Sequence, residues 1–165
     1  MVDFDWHCQL IDVAMNRTTE PATPQDHGAI QALLAHCGLP DDHVMPDRFV
    51  VVRHEGDLIG CVGLEVTGRT AMLQSLAVAS SFRGQGVGEL LVEAACGRAE
   101  SAGCARVVAL TLDAADYFTA LGFRVIPRDA LDANALEFWQ FKTQTCSSAQ
   151  CLERPLSSIG EPRGR

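Results

Sequence analysis

Lysine is almost missing from this 165-residue chain: of thirteen basic residues, only Lys142 is not an arginine. Tyrosine occurs once, as Tyr117. No apolar run approaches the ~20 residues of a membrane span. The first ten residues (MVDFDWHCQL) have neither a basic patch nor an apolar stretch, so they do not read as a secretory signal, and a cytoplasmic protein is expected. There is no CxxC pair, and the seven cysteines (Cys8, Cys37, Cys61, Cys96, Cys104, Cys146 and Cys151) are an odd number. That argues against a disulfide framework and for small, buried apolar residues. The formal net charge of −8 leaves little basic surface, so neither nucleic acid nor an anionic membrane is an expected partner. No internal repeat and no second domain are visible, and the length suits one domain with a real core. Arginine grips carboxylates and phosphates in a fork, so a few of the arginines could serve an anionic substrate while most face solvent.

What is present centres on Arg83, Gly84, Gln85, Gly86, Val87 and Gly88. Before this segment, Ala71–Val78 reads as a buried strand. After it, about 86–102 reads as an amphipathic helix with Val87, Leu90, Leu91 and Ala94 buried and Gly103 as its cap. A strand that turns through glycines into a helix N-terminus makes an anion site, because unpaired N–H groups and the helix dipole point outward there. The glycines admit a pyrophosphate closely, and Arg83 adds a permanent cation. The spacing is neither the dinucleotide fingerprint nor the nucleoside-triphosphate loop.

The rest of the chain alternates. A first strand lies near 15–20. Thr23 caps a helix carrying Ile30, Leu33, Leu34 and Cys37, which Gly38 stops, and a loop follows over 39–47. Phe49–Arg53 and Leu58–Val66 form a hairpin across His54–Asp57, with Gly60 and Gly63 as points of bulge or close approach. Arg106–Leu112 is a buried strand. Asp113 caps a short helix ended by Gly122, Phe123–Pro127 is a strand, and Ser147–Arg154 is the last strand. Segment 129–135 is irregular or helical, and 137–140 is either a helix turn or an edge. The expectation is an α/β chain of α+β type, with a mixed, mostly antiparallel central sheet and helices on both faces. Residues 1–14 form an extension, 15–155 the domain, and 156–165 a flexible tail rich in Pro, Gly and Ser.

The glycine segment, the strand ending Leu76, Ala77, Val78, and the later Tyr117–Phe123 (YFTALGF) resemble the GCN5-related N-acetyltransferases over about residues 15 to 155. The resemblance implies acetyl-coenzyme A as cofactor and transfer of its acetyl group to an amine. It implies that the pantetheine arm pairs with the backbone of Leu76, Ala77 and Val78, that the Val78 N–H polarises the acetyl carbonyl, and that the pyrophosphate sits on N–H groups of Arg83 through Gly88. Many members place a tyrosine where this chain has Phe118; Tyr117 lies one residue earlier, about 100° round the helix. Tyr117 is therefore either the acid that protonates the leaving thiolate or a half-buried aromatic. Glu65, late in the neighbouring strand, is either the general base or a solvent-facing residue. Gln74 and Ser75 are placed to line the acceptor site.

Glu137, Phe138 and Cys146–Cys151, together with Gly60–Glu65, Ser75–Val78 and Pro127–Asp129, resemble the subgroup of these enzymes associated with arsenic resistance. That narrower resemblance implies an acceptor such as an arsenic-containing glutamate analogue or phosphinothricin, held by arginines such as Arg53, Arg69 or Arg128. The partners expected are a small-molecule amine acceptor and, at most, a second copy of the chain as a homodimer. No resident metal ion is expected, and Cys146 and Cys151 read as packing residues before chelators. The alternatives are a protein N-acetyltransferase and a non-catalytic sensor of acetyl-coenzyme A or a metalloid.

Overall fold

The computed structural model describes residues 17–138 and 148–157. The expected extension, 1–14, and most of the expected tail, 156–165, lie outside them. Seven strands form one sheet in the order β1-β2-β3-β4-β5-β7-β6. These are β1 Thr19–Pro21, β2 Phe49–His54, β3 Asp57–Thr67, β4 Thr70–Val78, β5 Arg106–Thr111, β6 Arg124–Ile126 and β7 Gln150–Pro155. The α-helices among the described residues are α1 His27–His36, α2 Val87–Ser101 and α3 Ala115–Ala120. β4 and β5 run parallel, whereas β1–β2, β5–β7 and β6–β7 are antiparallel. This is the mixed, mostly antiparallel arrangement expected.

Local chemistry explains the joints. Glu55 and Gly56 both have positive φ, 51° and 88°, which is the primed hairpin turn whose twist matches the strands it joins. The three α-helices of the described residues end where a glycine was expected to stop them. Gly38, Gly103 and Gly122 have φ of 70°, 81° and 89°. In each case the next residue's N–H reaches back five residues, from Leu39 to Leu34, Cys104 to Ala99 and Phe123 to Phe118. The start of α3 differs from expectation: Ala114, not Asp113, is the cap, and the Ala114 N–H donates to the Thr111 hydroxyl at 2.9 Å. Strand β7 starts at Gln150, and Ser147, the expected start, lies outside the described residues.

The chain divides into two compact units, Met1–Val62 with Ser75–Ala94 and Gly63–Gln74 with Ala95–Arg165. In the first, Ile30, Leu33 and Leu34 of α1 pack with Val44, Phe49, Val51, Cys61 and Ala77. Arg53 of β2 ties this unit's N-terminal turn together. Its guanidinium donates to Asp26 at 2.6 Å and to Glu20, and the Thr23 N–H donates to the same Asp26 carboxylate at 2.8 Å. In the second unit, Met72, Val108, Leu131, Ala135, Phe138 and Cys151 form the core. Glu153 of β7 is buried there between Arg106, at 3.1 Å, and Arg124, at 2.7 Å.

The buried stripe of α2 is rotated from the one expected. Val87, Leu91, Val92, Ala95, Cys96 and Ala99 are buried, while Leu90 and Ala94 are only half-buried. The reason lies on β3. A Cβ on Gly60 would stand 2.9 Å from both Val87 and Leu91, so the first turns of α2 rest directly on the Gly60 backbone. The helix sits on a bare strand position rather than on a side chain.

Candidate functional site

The glycine segment closes β4 onto α2 within the first unit. A short 3-10 turn, Ser80–Phe82, precedes it, and its Arg83 N–H is taken by the Ser80 carbonyl at 3.4 Å. The donor row therefore starts one residue later than expected. Gly84 and Gly86 are left-handed, with φ of 74° and 79°, and two such residues in close succession curl the backbone into a concave turn. The Gly86 carbonyl accepts the first helical bond, from the Leu90 N–H at 3.1 Å. The N–H groups of Val87, Gly88 and Glu89 thus precede the helical ladder and have no partner within it. A Cβ on Gly84 or Gly86 meets nothing within 4 Å, so the turn's outer side is open. An anion-accepting cradle at a helix N-terminus follows from these facts.

The end of β4 delivers backbone to the same place. Ala77 is buried in the core, whereas Leu76 and Val78 are half-buried. The Ala79 N–H donates to Ile59 of β3 at 2.8 Å. Because backbone groups alternate along a strand, the N–H and C=O of Val78 point away from β3. The Val78 carbonyl is occupied: Arg83 Nε donates to it at 3.1 Å and the Cys37 thiol lies 3.7 Å away. Arg83 Nη2 lies 3.6 Å from Cys37 Sγ. In this conformation Arg83 braces the strand end instead of standing over the turn as a bare cation.

Ser75 holds a feature that sequence reasoning missed. Its φ is +54°, rare for a residue with a side chain, and its carbonyl lies 3.7 Å from the Cys61 thiol. The parallel pairing of β4 with β5 runs from Thr70↔Arg106 to Leu73↔Ala109, and the distortion follows two residues later. Arg17 was missed as well. Its Nη2 donates to Gln85 Oε1 at 3.1 Å across 68 residues of sequence, and its guanidinium carbon lies 5.1 Å from the Phe82 ring centre. No local signal announces so distant a partner.

The remaining candidates lie in the second unit. Glu65 is half-buried on β3. Tyr117 is 42% exposed, whereas Phe118 is 6% exposed and packs against Phe123 at 5.3 Å between ring centres. The one-residue offset noted in the sequence is thus real: the helix turns the phenylalanine inward and the tyrosine outward. Among the expected substrate arginines, Arg53 is consumed by Asp26 and Glu20 in the first unit. Arg69 is exposed, and Arg128 Nη2 donates to the Ala149 carbonyl at 3.1 Å. Burial pushes the Cys61 thiol up to about 12 and the Cys151 thiol up to about 11, which suits packing cysteines. Cys146 and Lys142 lie outside the described residues.

The sequence profile of the Acetyltransferase (GNAT) family matches residues 9–123, more than half of the chain and the whole of the glycine turn. The chain belongs to this family. An uncharacterized N-acetyltransferase of Chlorobaculum tepidum, CT2212, is 35% identical to this GNAT chain over 82 residues, 49% of the chain and 52% of the relative. The N-acetylglutamate synthase of Neisseria gonorrhoeae, solved with coenzyme A and N-acetyl-glutamate, has a TM-score of 0.73 at 23% identity, covering 86% of this chain and 35% of its own. Rv2747 of Mycobacterium tuberculosis, solved with CoA, has a TM-score of 0.70 at 19% identity, covering 85% of this chain and 99% of its own. The chain therefore spans about half the length of the curated relative and about a third of the synthase. At these identities the solved structures are alike in fold, and the GNAT fold expected from the residues is the one found.

Proposed function

We propose that the chain transfers the acetyl group of acetyl-coenzyme A to the amino group of a small molecule. The observation that carries this reading is the open, doubly left-handed turn at Gly84 and Gly86 between β4 and the N-terminus of α2, in a chain of the GNAT family. Bound acetyl-coenzyme A would supply an activated thioester and, in its thiol, a fairly good leaving group. The N–H groups of Gly84, Gln85, Gly86, Val87 and Gly88 hold the diphosphate, with the positive end of the α2 dipole behind them. Leu76 and Val78, whose backbone groups face away from β3, present them to the pantetheine arm beside Ala77, and the Val78 N–H donates to the acetyl oxygen as negative charge develops on it. Glu65 takes the proton of the attacking amine, directly or through water. Tyr117 is a packing aromatic in this account, and water returns the proton to the thiolate.

The finer reading is an α-amino acid acceptor with a second anionic group, such as phosphinothricin or an arsenic-containing glutamate analogue. The C-terminal resemblance, the near-total use of arginine as cation and the fold shared with an amino-acid acetyltransferase support it. With Arg53 consumed, Arg69 and Arg128 are the arginines proposed to hold the anionic ends. A thiol-release assay with acetyl-coenzyme A across amino acids, uncharged amines, toxic glutamate analogues and basic peptides tests both levels. Turnover on dianionic amino acids supports the whole reading. Uncharged amines outperforming them overturns the finer part, and binding without turnover on any amine overturns the enzyme and leaves a sensor.

A further inference from the structure

Arg17 reaches the glycine turn from far away in sequence, and its donors are poorly used. Only Nη2 has a hydrogen-bond partner, Gln85 Oε1 at 3.1 Å. Nε and Nη1 are both buried and have none. A guanidinium carries five N–H donors, and leaving buried charged donors unmatched is costly. The position is nevertheless held on two sides, by Phe82 and by Gln85, each braced in turn. The Phe82 ring lies 5.1 Å beneath the guanidinium, the His54 ring packs on Phe82 at 5.1 Å, and Gln85 Nε2 is anchored to the Ser81 carbonyl at 3.2 Å. The Phe82 face contributes cation–π attraction and no hydrogen-bond acceptor. Without a further acceptor these contacts hold a charge in place but do not satisfy it.

We propose that Arg17 is a phosphate ligand of the coenzyme, completing the anion cradle that Gly84–Gly88 begins. Nη2 belongs to both edges of the guanidinium, and the idle Nε and Nη1 flank it on either side. A phosphate can therefore engage Nε with the second Nη2 hydrogen, or Nη1 with it, without disturbing Gln85. Gln85 links the two parts: its carbonyl oxygen fixes the guanidinium, and its own backbone lies inside the turn. The coenzyme carries two sources of this chemistry, its diphosphate and its ribose 3′-phosphate. The inference rests on the proposed acetyl-coenzyme A reading.

The test compares the whole chain with Arg17→Gln and Arg17→Lys by calorimetry and by ligand-dependent melting. The ligands are acetyl-coenzyme A, its dephospho form lacking the 3′-phosphate, and acetylpantetheine, which lacks all phosphate. Arg17→Gln is expected to weaken acetyl-coenzyme A binding about ten- to a hundredfold, to leave acetylpantetheine unchanged, and to be partly rescued by lysine. If the dephospho form loses as much as the full coenzyme, Arg17 serves the diphosphate; if it loses nothing, Arg17 serves the 3′-phosphate. A variant that binds acetyl-coenzyme A as the wild type does overturns this inference alone. A variant that loses all three ligands equally, or whose unliganded melting temperature falls sharply, shows a purely structural arginine and also overturns it. Wild-type protein that binds no acetyl-coenzyme A overturns both this inference and the function it rests on.

Discussion

At the scale of single residues, the site depends on what the backbone at Gly86 allows. Gly86 has φ of 79° with open space beyond its Cα, so a side chain there would strain the turn, and a carboxylate beside the N–H row would repel a bound phosphate. Gly86→Glu should remove the rise in melting temperature that acetyl-coenzyme A produces, since a ligand stabilises only the state it binds. The unliganded protein should lose about 1–2 kcal/mol, the cost of a left-handed residue with a Cβ. A normal ligand-induced shift in this variant would remove the turn from the binding site. Tyr117 is the opposite case. It stands outward at 42% exposure and makes an edge-on contact with Phe118 at 5.6 Å. Tyr117→Phe should change kcat less than about threefold, because a packing ring loses one hydroxyl, whereas a true proton donor would cost about 10²-fold or more. The one-residue offset of this tyrosine could be read directly from the sequence. The positive φ of Ser75 and the reach of Arg17 to Gln85 could not, since no neighbour within a few residues causes either.

At the scale of elements, the helix that carries the anion site is positioned by a missing side chain. Val87 and Leu91 sit 2.9 Å from where a Gly60 Cβ would be, and both are buried to within 2%. Val87 is β-branched and holds one rotamer in a helix, so it cannot swing aside cheaply. Gly60→Ala should push α2 off β3, cost about 1–3 kcal/mol and lower the melting temperature by about 3–10 °C. It should also weaken coenzyme binding, because the turn hangs on the displaced helix end. Unchanged melting would mean that the helix tolerates the shift. The sequence marked Gly60 as a point of close approach, but it could not say to what. The buried stripe of α2 was misread for the same reason: Leu90 fits an apolar period, yet the face that meets a bare glycine is the one through Val87, Leu91 and Ala95.

Across the whole molecule, each compact unit buries a carboxylate held by arginine. The Arg53 hydrogen bond, helped by the Thr23 N–H, holds the Asp26 carboxyl below its ordinary range. Burial pushes Glu153 upward, but hydrogen bonds from Arg124 and Arg106 outweigh it and hold that carboxyl low as well. Both groups bind protons less readily folded than unfolded. Their stabilisation is therefore complete above the unfolded carboxylate values of about 4 and is lost as pH falls through the lower folded ones. Melting temperature should hold steady down to about pH 5 and then drop. Asp26→Asn should melt lower at neutral pH and show a shallower acid limb. A variant losing stability with acid as steeply as the parent would show that this carboxylate carries none of it.

The sequence by itself determined the alternation of elements, their glycine stops, the strand–turn–helix that makes an anion site and, through those residues, the family. These are local matters: apolar period, left-handed glycines and helix termini act within a few residues of their cause. Tertiary structure alone decided that Arg53 is spent on Asp26 and Glu20, that Arg83 braces the Val78 carbonyl, that Phe118 rather than Tyr117 turns inward, and that Arg17 meets the glycine turn. The arginine contacts depend on which group folding brings within about 3–4 Å of the guanidinium, the range over which hydrogen bonds and close ion pairs act, and the burial of Phe118 depends on what its helix packs against. Residue type shows what a side chain can bind, whereas packing decides which partner is there to be bound.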